Sequence, residues 1–401
     1  MASMLATQSE EIELTFYFRR DVLNPTQFDL LEAMYGFNEN PCSLPLHPRI
    51  KLGVVSSLMY DWAHVLICDG TVDKELGQLG AAFQASRTAS SLAEMGAYIA
   101  RWTWPKQMPE VQHLFHRSRN KSNVKSATFQ CSASEFLTIY PVVTRYLQRV
   151  VLERNELPEH VASMLAALDV LDLCHNVRRG IVTGPELINA SERHFALFRA
   201  AYGEDLVRPK HHYEGHLGEH LAFFGALWSC LTNERRHRVV KRYSINRKIL
   251  KQWELGVLED VTTHQIWELQ EGFLQHKRVH QVVPKKQTLN ALMEMFPDVP
   301  GDSLLIANVA GSTDGEVTVG DVVAYGHPLL VGELVLLFFV DVHAYAIVEA
   351  WDRTGVDGAW VSYTIKHDVN VIPQQELRVS LLYSKSADGA SATIFLPRSH
   401  R

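Results

Sequence analysis

The hydrophobic pattern of this chain changes period near residue 300, and that change limits what it can fold into. Over residues 301–397, short apolar runs alternate with turn signals. The runs are Leu304–Val309, Glu316–Val323, Gly332–Val342, Ala344–Ala350, Trp360–Ile365, Val379–Tyr383 and Thr393–Leu396, with Asp314-Gly315 and Asp357-Gly358 among the turns. Such spacing predicts a small all-β sandwich or barrel. Upstream, over residues 51–205, apolar residues recur at helical intervals instead. Residues 133–155 place Phe136, Ile139, Val142, Val143, Tyr146, Leu147 and Val150 on one face. Thr183-Gly184-Pro185 starts a further helix, with Leu187, Ile188, Phe195, Phe198 and Ala201 inward and Gly203 as its stop. Trp102-Thr103-Trp104-Pro105 interrupts the helical pattern. Residues 1–50 read as a short strand over Glu11–Arg19, a helix after Asn24-Pro25-Thr26, and a loop rich in proline and asparagine.

At 401 residues the chain has room for two or three domains. Five widely spaced cysteines without a C-x-x-C pair argue against a disulfide framework and against a paired-cysteine zinc site. The opening residues lack a basic region followed by an apolar core, so secretion is not expected. Membrane insertion is not expected either, because the longest apolar runs contain acids and are too short. The compartment expected is the nucleus or cytoplasm. The net charge of −6 hides local bias: bases dominate Arg235–Lys251 and Lys277–Lys286. Nucleic-acid binding follows that local field rather than the total.

Residues 208–243 carry the densest chemistry: they hold five histidines, and near their end a lone acid, Glu234, heads a strongly basic segment. Thr232 or Asn233 would cap a helix there, placing Glu234 in its first turn, where the helix dipole favours an anion. Arg235, Arg236, Arg238, Lys241 and Arg242 would suit a phosphate backbone, although on the residues alone a solvated amphipathic helix is the favoured account of them. His212, His216 and His220, four apart, would form a stripe on one continuous helix. Zinc would need further convergent ligands, and Gly215 and Gly218 weaken the helix that would hold them. Asp61 and His64, three apart, share a helix face and should meet.

The order Asp-Trp-Ala-His-Val-Leu-Ile-Cys-Asp-Gly (Asp61–Gly70), Trp-Thr-Trp-Pro (Trp102–Pro105), then Lys-His-His-Tyr and Thr-Asn-Glu-Arg (between Lys210 and Arg238) resembles the C-terminal half of CACTA-type (En/Spm-like) transposases. The resemblance covers roughly residues 25–280. It implies an α/β remnant of a ribonuclease-H-like core with a helical insertion, so the fold class expected is mostly α, followed by the small C-terminal β domain. It divides the chain into residues 1–70 with the Asp-x-x-His motif, an insertion over 71–205, a Glu-bearing basic part over 206–281, and the β-rich domain over 301–397, which lies outside the match. Asp61 and His64 take the motif positions, Glu234 that of the catalytic, metal-binding acid, and Lys210 joins the DNA-facing bases. The intact family enzyme uses Mg²⁺ or Mn²⁺ on an Asp-Asp-Glu triad, whose two aspartates have no match here.

The function expected is therefore that of a transposase-derived, domesticated or truncated protein. It would need no cofactor, would cut no DNA alone, and would bind DNA weakly through its basic helix. Two other readings stand beside it: a non-enzymatic helical scaffold with a protein partner on the β domain, and a metal-dependent hydrolase using the histidines. A loose connection is expected between residues 282 and 303.

Overall fold

The computed structural model describes residue 24 and residues 59–229, 231, 240–244, 253–270, 282–297, 299–340 and 343–400. The strand and helix expected within residues 1–50 lie outside them, as does the Thr232–Asn233 cap.

A short helix, α1 (Trp62–Leu66), begins at Asp61, whose side chain accepts from the Ala63 amide. Five longer helices follow: α2 (Thr71–Ala85), α3 (Leu92–Ile99), α4 (Arg117–Ser126), α5 (Ala133–Tyr146) and α6 (Pro158–Asn176). Two more, α7 (Gly184–Tyr202) and α8 (Pro209–Phe224), complete the helical unit. Local sequence explains the ends. Ser132 and Glu135 form a reciprocal capping box on α5. Pro185 sits in the first turn of α7 after the Thr183 cap, and Gly203 ends that helix at φ +81°. Helix α5 carries Pro141 and runs on into a π turn over Leu147–Val151, so the expected face is buried as far as Leu147 and Val151 takes over from Val150.

Helices α7 and α8 approach closely because both carry glycine at the crossing. A Cβ on Gly218 would lie 2.5 Å from Ile188 Cγ1 and 2.9 Å from the Gly184 carbonyl oxygen, and one on Gly184 would lie 2.7 Å from Ala222 Cβ. Gly215, by contrast, faces open space. The helix that these glycines were expected to weaken is continuous through both, because tertiary packing outweighs local propensity.

Two more helices, α9 (Trp253–Gln270) and α10 (Lys286–Met295), precede the β region. There the seven expected runs give ten strands, because the runs at 304–309, 316–323 and 379–383 each divide between two: β1 (Leu304–Ala307), β2 (Val309–Ser312), β3 (Gly315–Thr318), β4 (Val322–Tyr325), β5 (Leu330–Val340), β6 (His343–Asp357), β7 (Trp360–Pro373), β8 (Leu377–Leu381), β9 (Tyr383–Lys385) and β10 (Ser391–Phe395). One antiparallel sheet runs β8-β4-β5-β6-β7-β10-β9, with β1 also paired to β5, and β2–β3 form a separate ribbon. Thr313-Asp314 turns the ribbon, with Gly315 opening β3, and Gly358, at φ +62°, turns the long β6–β7 hairpin. Strand β4 is buried on both faces: Val323 and Tyr325 join one apolar cluster, Val322 and Ala324 another. Mixed helix with a C-terminal antiparallel sheet is thus the observed class.

The two regions are not loosely joined. Val282 and Ile306 exchange backbone hydrogen bonds of 2.9 Å. Leu292 of α10 is buried with Leu304, Phe338 and Ile347 of the sheet. The Trp102–Pro105 segment, which breaks the helical pattern, pairs with the sheet edge: Thr103 and Tyr383 exchange backbone bonds of 2.7 and 3.2 Å. Trp102 packs at 4.9 Å on Trp360, which also lies 4.7 Å beneath the Arg145 guanidinium. Near the C-terminus Arg398 reaches Asp172 (2.9 Å) and Asp169 (3.3 Å) of α6, and Glu186 (3.1 Å) of α7. The expected loose connection is therefore replaced, over its described residues, by a strand pairing and a packed helix.

Candidate functional site

The site is built where α1, α2, α7 and α8 meet. Asp61 caps α1 and His64 lies one turn on, so Asp61 Oδ2 accepts from His64 Nδ1 at 2.5 Å. This is the contact that their spacing predicts. Lys210, from the first turn of α8, donates at 2.8 Å to the His64 carbonyl and at 2.8 Å to the Cys68 carbonyl. An ammonium at the C-terminal end of a helix meets its unsatisfied carbonyls and the negative end of its dipole. The Asp-x-x-His segment and the Lys-His-His-Tyr segment, 146 residues apart between His64 and Lys210, are thereby tied together.

Beneath this contact lies a charged cluster fully inside the helical unit. His194 of α7 holds Glu214 of α8 on Nδ1 (2.6 Å) and Glu75 of α2 on Nε2 (2.8 Å). Thr71 Oγ1 donates to the second oxygen of Glu214 at 2.7 Å. His194 and Glu75 are both wholly buried and Glu214 nearly so. Burial alone would lower the imidazole pKa, but the two carboxylates overcome it and push His194 up to about 10. It is an imidazolium bridging two carboxyl groups. Nearby, burial pushes Asp73 up to about 7, with Asp69 adding to the effect.

The sequence reading did not find this cluster. It took Phe195 as inward on α7, whereas His194 is buried and Phe195 only half-buried. The signal was present: Leu187, Ser191, His194 and Phe198 recur at helical spacing and are the buried positions. Glu75 follows Asp73 and Lys74 on α2, and nothing in its local sequence marks it as the one that is fully buried beside a histidine.

Next to the cluster is a cavity of about 540 Å³. Thr71 and Lys74 of α2 and Arg208, Lys210 and His211 at the start of α8 line it. Lys74 is paired with Asp69 at 2.5 Å, which holds the Asp69 carboxyl below its usual range. His211 is buried, and its Nδ1 accepts from the Arg208 amide at 3.0 Å.

The other predicted residues fall as follows. Glu234, Arg235, Arg236 and Arg238 lie outside the described residues. Lys241 and Arg242 are exposed on a helical segment over 240–244. His212 Nε2 and His216 Nε2 touch each other at 3.1 Å, and His216 Nδ1 meets Glu219 at 2.8 Å. Among the described residues no three His, Cys, Asp or Glu side chains converge to hold a metal ion. Among the described residues the His212–His220 stripe does not assemble such a donor set. No helix among the described residues is long and apolar enough to cross a membrane.

No protein-family model, no curated protein and no solved structure matches the chain.

Proposed function

We propose that this is a transposase-derived protein whose present activity is sequence-tolerant DNA binding through its basic segment, with strand cleavage no part of it. One observation supports the reading above the rest. The helical unit leaves the chain after α1 and returns to it at α8, where Lys210 closes the gap on the His64 and Cys68 carbonyls. That is how an insertion into a pre-existing core is organised, and it is the relation that the motif order implies between the Asp-x-x-His and Lys-His-His segments. In this reading the ribonuclease-H-like remnant flanks the helical unit, Glu234 keeps the position of the ancestral metal-binding acid, and Arg235, Arg236, Arg238, Lys241 and Arg242 meet phosphates. Lys210 acts mainly as the clasp between the two segments.

The test is a DNA titration at several salt concentrations. Binding should weaken steeply with salt, and replacing Arg235, Arg238 and Arg242 by Ala should flatten the slope by up to about three. Glu234→Ala should leave binding intact or slightly stronger, because a charge that repels phosphate is gone. DNA indifference at low salt would remove the proposal in favour of a protein scaffold. Mg²⁺-dependent cleavage abolished by Glu234→Ala would instead establish a working nuclease.

A further inference from the structure

A cleft of about 370 Å³ lies between α2, α3 and α4, and no residue of the His194 cluster lines it. Three cations stand at its rim: Arg87 after α2, and Arg117 and Lys121 on α4. All three residues are exposed, and none of their side chains has an ion pair or hydrogen bond among the described residues. No Asp or Glu among the described residues lines the cleft. The acids close by are occupied elsewhere. Glu94 holds Arg154 at 2.8 Å and accepts from Tyr146 at 2.7 Å, and Glu156 accepts the Ala89 and Ser90 amides at 2.9 and 3.0 Å. Residues 111–134 as a whole contain four lysines and arginines and no acid.

Two of these cations sit where local physics disfavours them. Arg117 is the first residue of α4, whose first turn carries no acid and whose N-cap, His116, makes no side-chain cap. A cation there faces the positive end of the helix dipole. Arg87 follows the Ser86 C-cap of α2 with φ +51°, in the left-handed backbone that glycine usually takes at that position. Both departures set a guanidinium at the same opening, and such departures concentrate at functional sites. Between the cations the accessible wall is mostly carbon. Phe115 and Val124 line it half-buried and Ala93 lines it exposed, so apolar surface stays open to a ligand.

We infer that this cleft binds an organic anion with an apolar body, a fatty carboxylate being the simplest example. The head group meets Arg87, Arg117 and Lys121, and the carbon chain covers Phe115, Val124 and Ala93. A polyanion would use the cations and leave the apolar wall wet. A neutral lipid would cover the wall and leave the cations idle. The volume is that of a small-molecule site. The inference is independent of the DNA reading, since none of these residues belongs to the basic segment over 235–242.

The test is calorimetric titration of the full chain with decanoate below its aggregation concentration, decanol, acetate, and a short single-stranded oligonucleotide. Decanoate should bind one to one, with decanol and acetate weaker by about tenfold or more. Arg117→Ala combined with Lys121→Ala should weaken decanoate binding by about tenfold or more. That variant should keep or raise the melting temperature, because both residues are exposed and a cation leaves the positive end of α4. Ala93→Glu should abolish binding and keep the fold, because an acid is favoured in the first turn of α3. Lys125→Ala, one turn further along α4 and outside the cleft, should change nothing. Failure of decanoate to bind, equal binding of decanol or acetate, or an equal loss in Lys125→Ala would overturn the inference. So would binding that survives both the double variant and Ala93→Glu. Binding of the oligonucleotide alone, lost in the double variant, would make this a nucleic-acid surface and overturn it as well.

Discussion

Within the core of the helical unit, one imidazolium between two carboxyl groups organises three helices. Taking three ionisable groups out of water is costly, and their mutual attraction offsets the cost only while all three are present. His194→Ala should therefore destabilise the chain by about 3–5 kcal/mol, measured by urea unfolding at pH 7. The folded-state pKa of His194 lies above the ordinary value of 6.5, so its contribution is complete below that pH and is lost as pH rises through about 10. The stability gap between the native chain and a His194→Phe variant should narrow from pH 6.5 to about pH 10. A gap independent of pH would show that the ring is neutral. Asp73 behaves oppositely. Its raised value means that ionisation costs stability as pH climbs from 3.8 through about 7. Asp73→Asn should gain up to about 4 kcal/mol above pH 7.5 and almost nothing below pH 4, as thermal melts at the two pH values would reveal. The charged cluster was not legible beforehand. Helical spacing could place His194 inward with Leu187, Ser191 and Phe198, but not its partners, which sit 119 and 20 residues away in sequence. The Asp61–His64 contact was legible, because both groups lie on one turn and the helix itself supplies the geometry.

Among the elements, α8 carries two glycines that look alike in sequence and differ in the fold. Gly218→Ala should cost about 1–3 kcal/mol, because its new methyl meets Ile188 and the backbone of α7. Gly215→Ala should instead stabilise by about 0.5–1 kcal/mol, because it restores helix propensity into open space. Equal effects in paired melts would remove the close crossing as the reason for Gly218. Most elements could be read from local signals. The Thr183 cap, the Gly203 stop and the Asp-Gly hairpin turns act within a few residues of themselves. Strand pairing order and the two separate faces of β4 depend on residues far along the chain, and period alone does not encode them.

For the whole of the chain from Asp61 onward, the docking of the sheet on the helices is the main departure from the sequence expectation. Apolar spacing identifies where a β region begins, but nothing in it reveals that Trp102 and Trp360 will stack or that Thr103 will pair with Tyr383. Low-ratio proteolysis should make no early cut between residues 282 and 297. If the chain is cut upstream, the β part should still co-elute with the helices on size exclusion. Trp102→Ala combined with Trp360→Ala should release it, and co-elution of that doubly substituted chain would locate the hold in the Arg398 contacts instead.

The Lys210 clasp has a consequence for how such a chain can change over time. The detour it closes, 142 residues between Cys68 and Lys210, begins and ends at nearly the same place. The entropy of closing a loop grows only logarithmically with its length. Helices could therefore be added to the detour, away from the α7–α8 crossing and the His194 cluster, with little entropic penalty at its base. The junction behaves as a port into which material of very different size can be fitted.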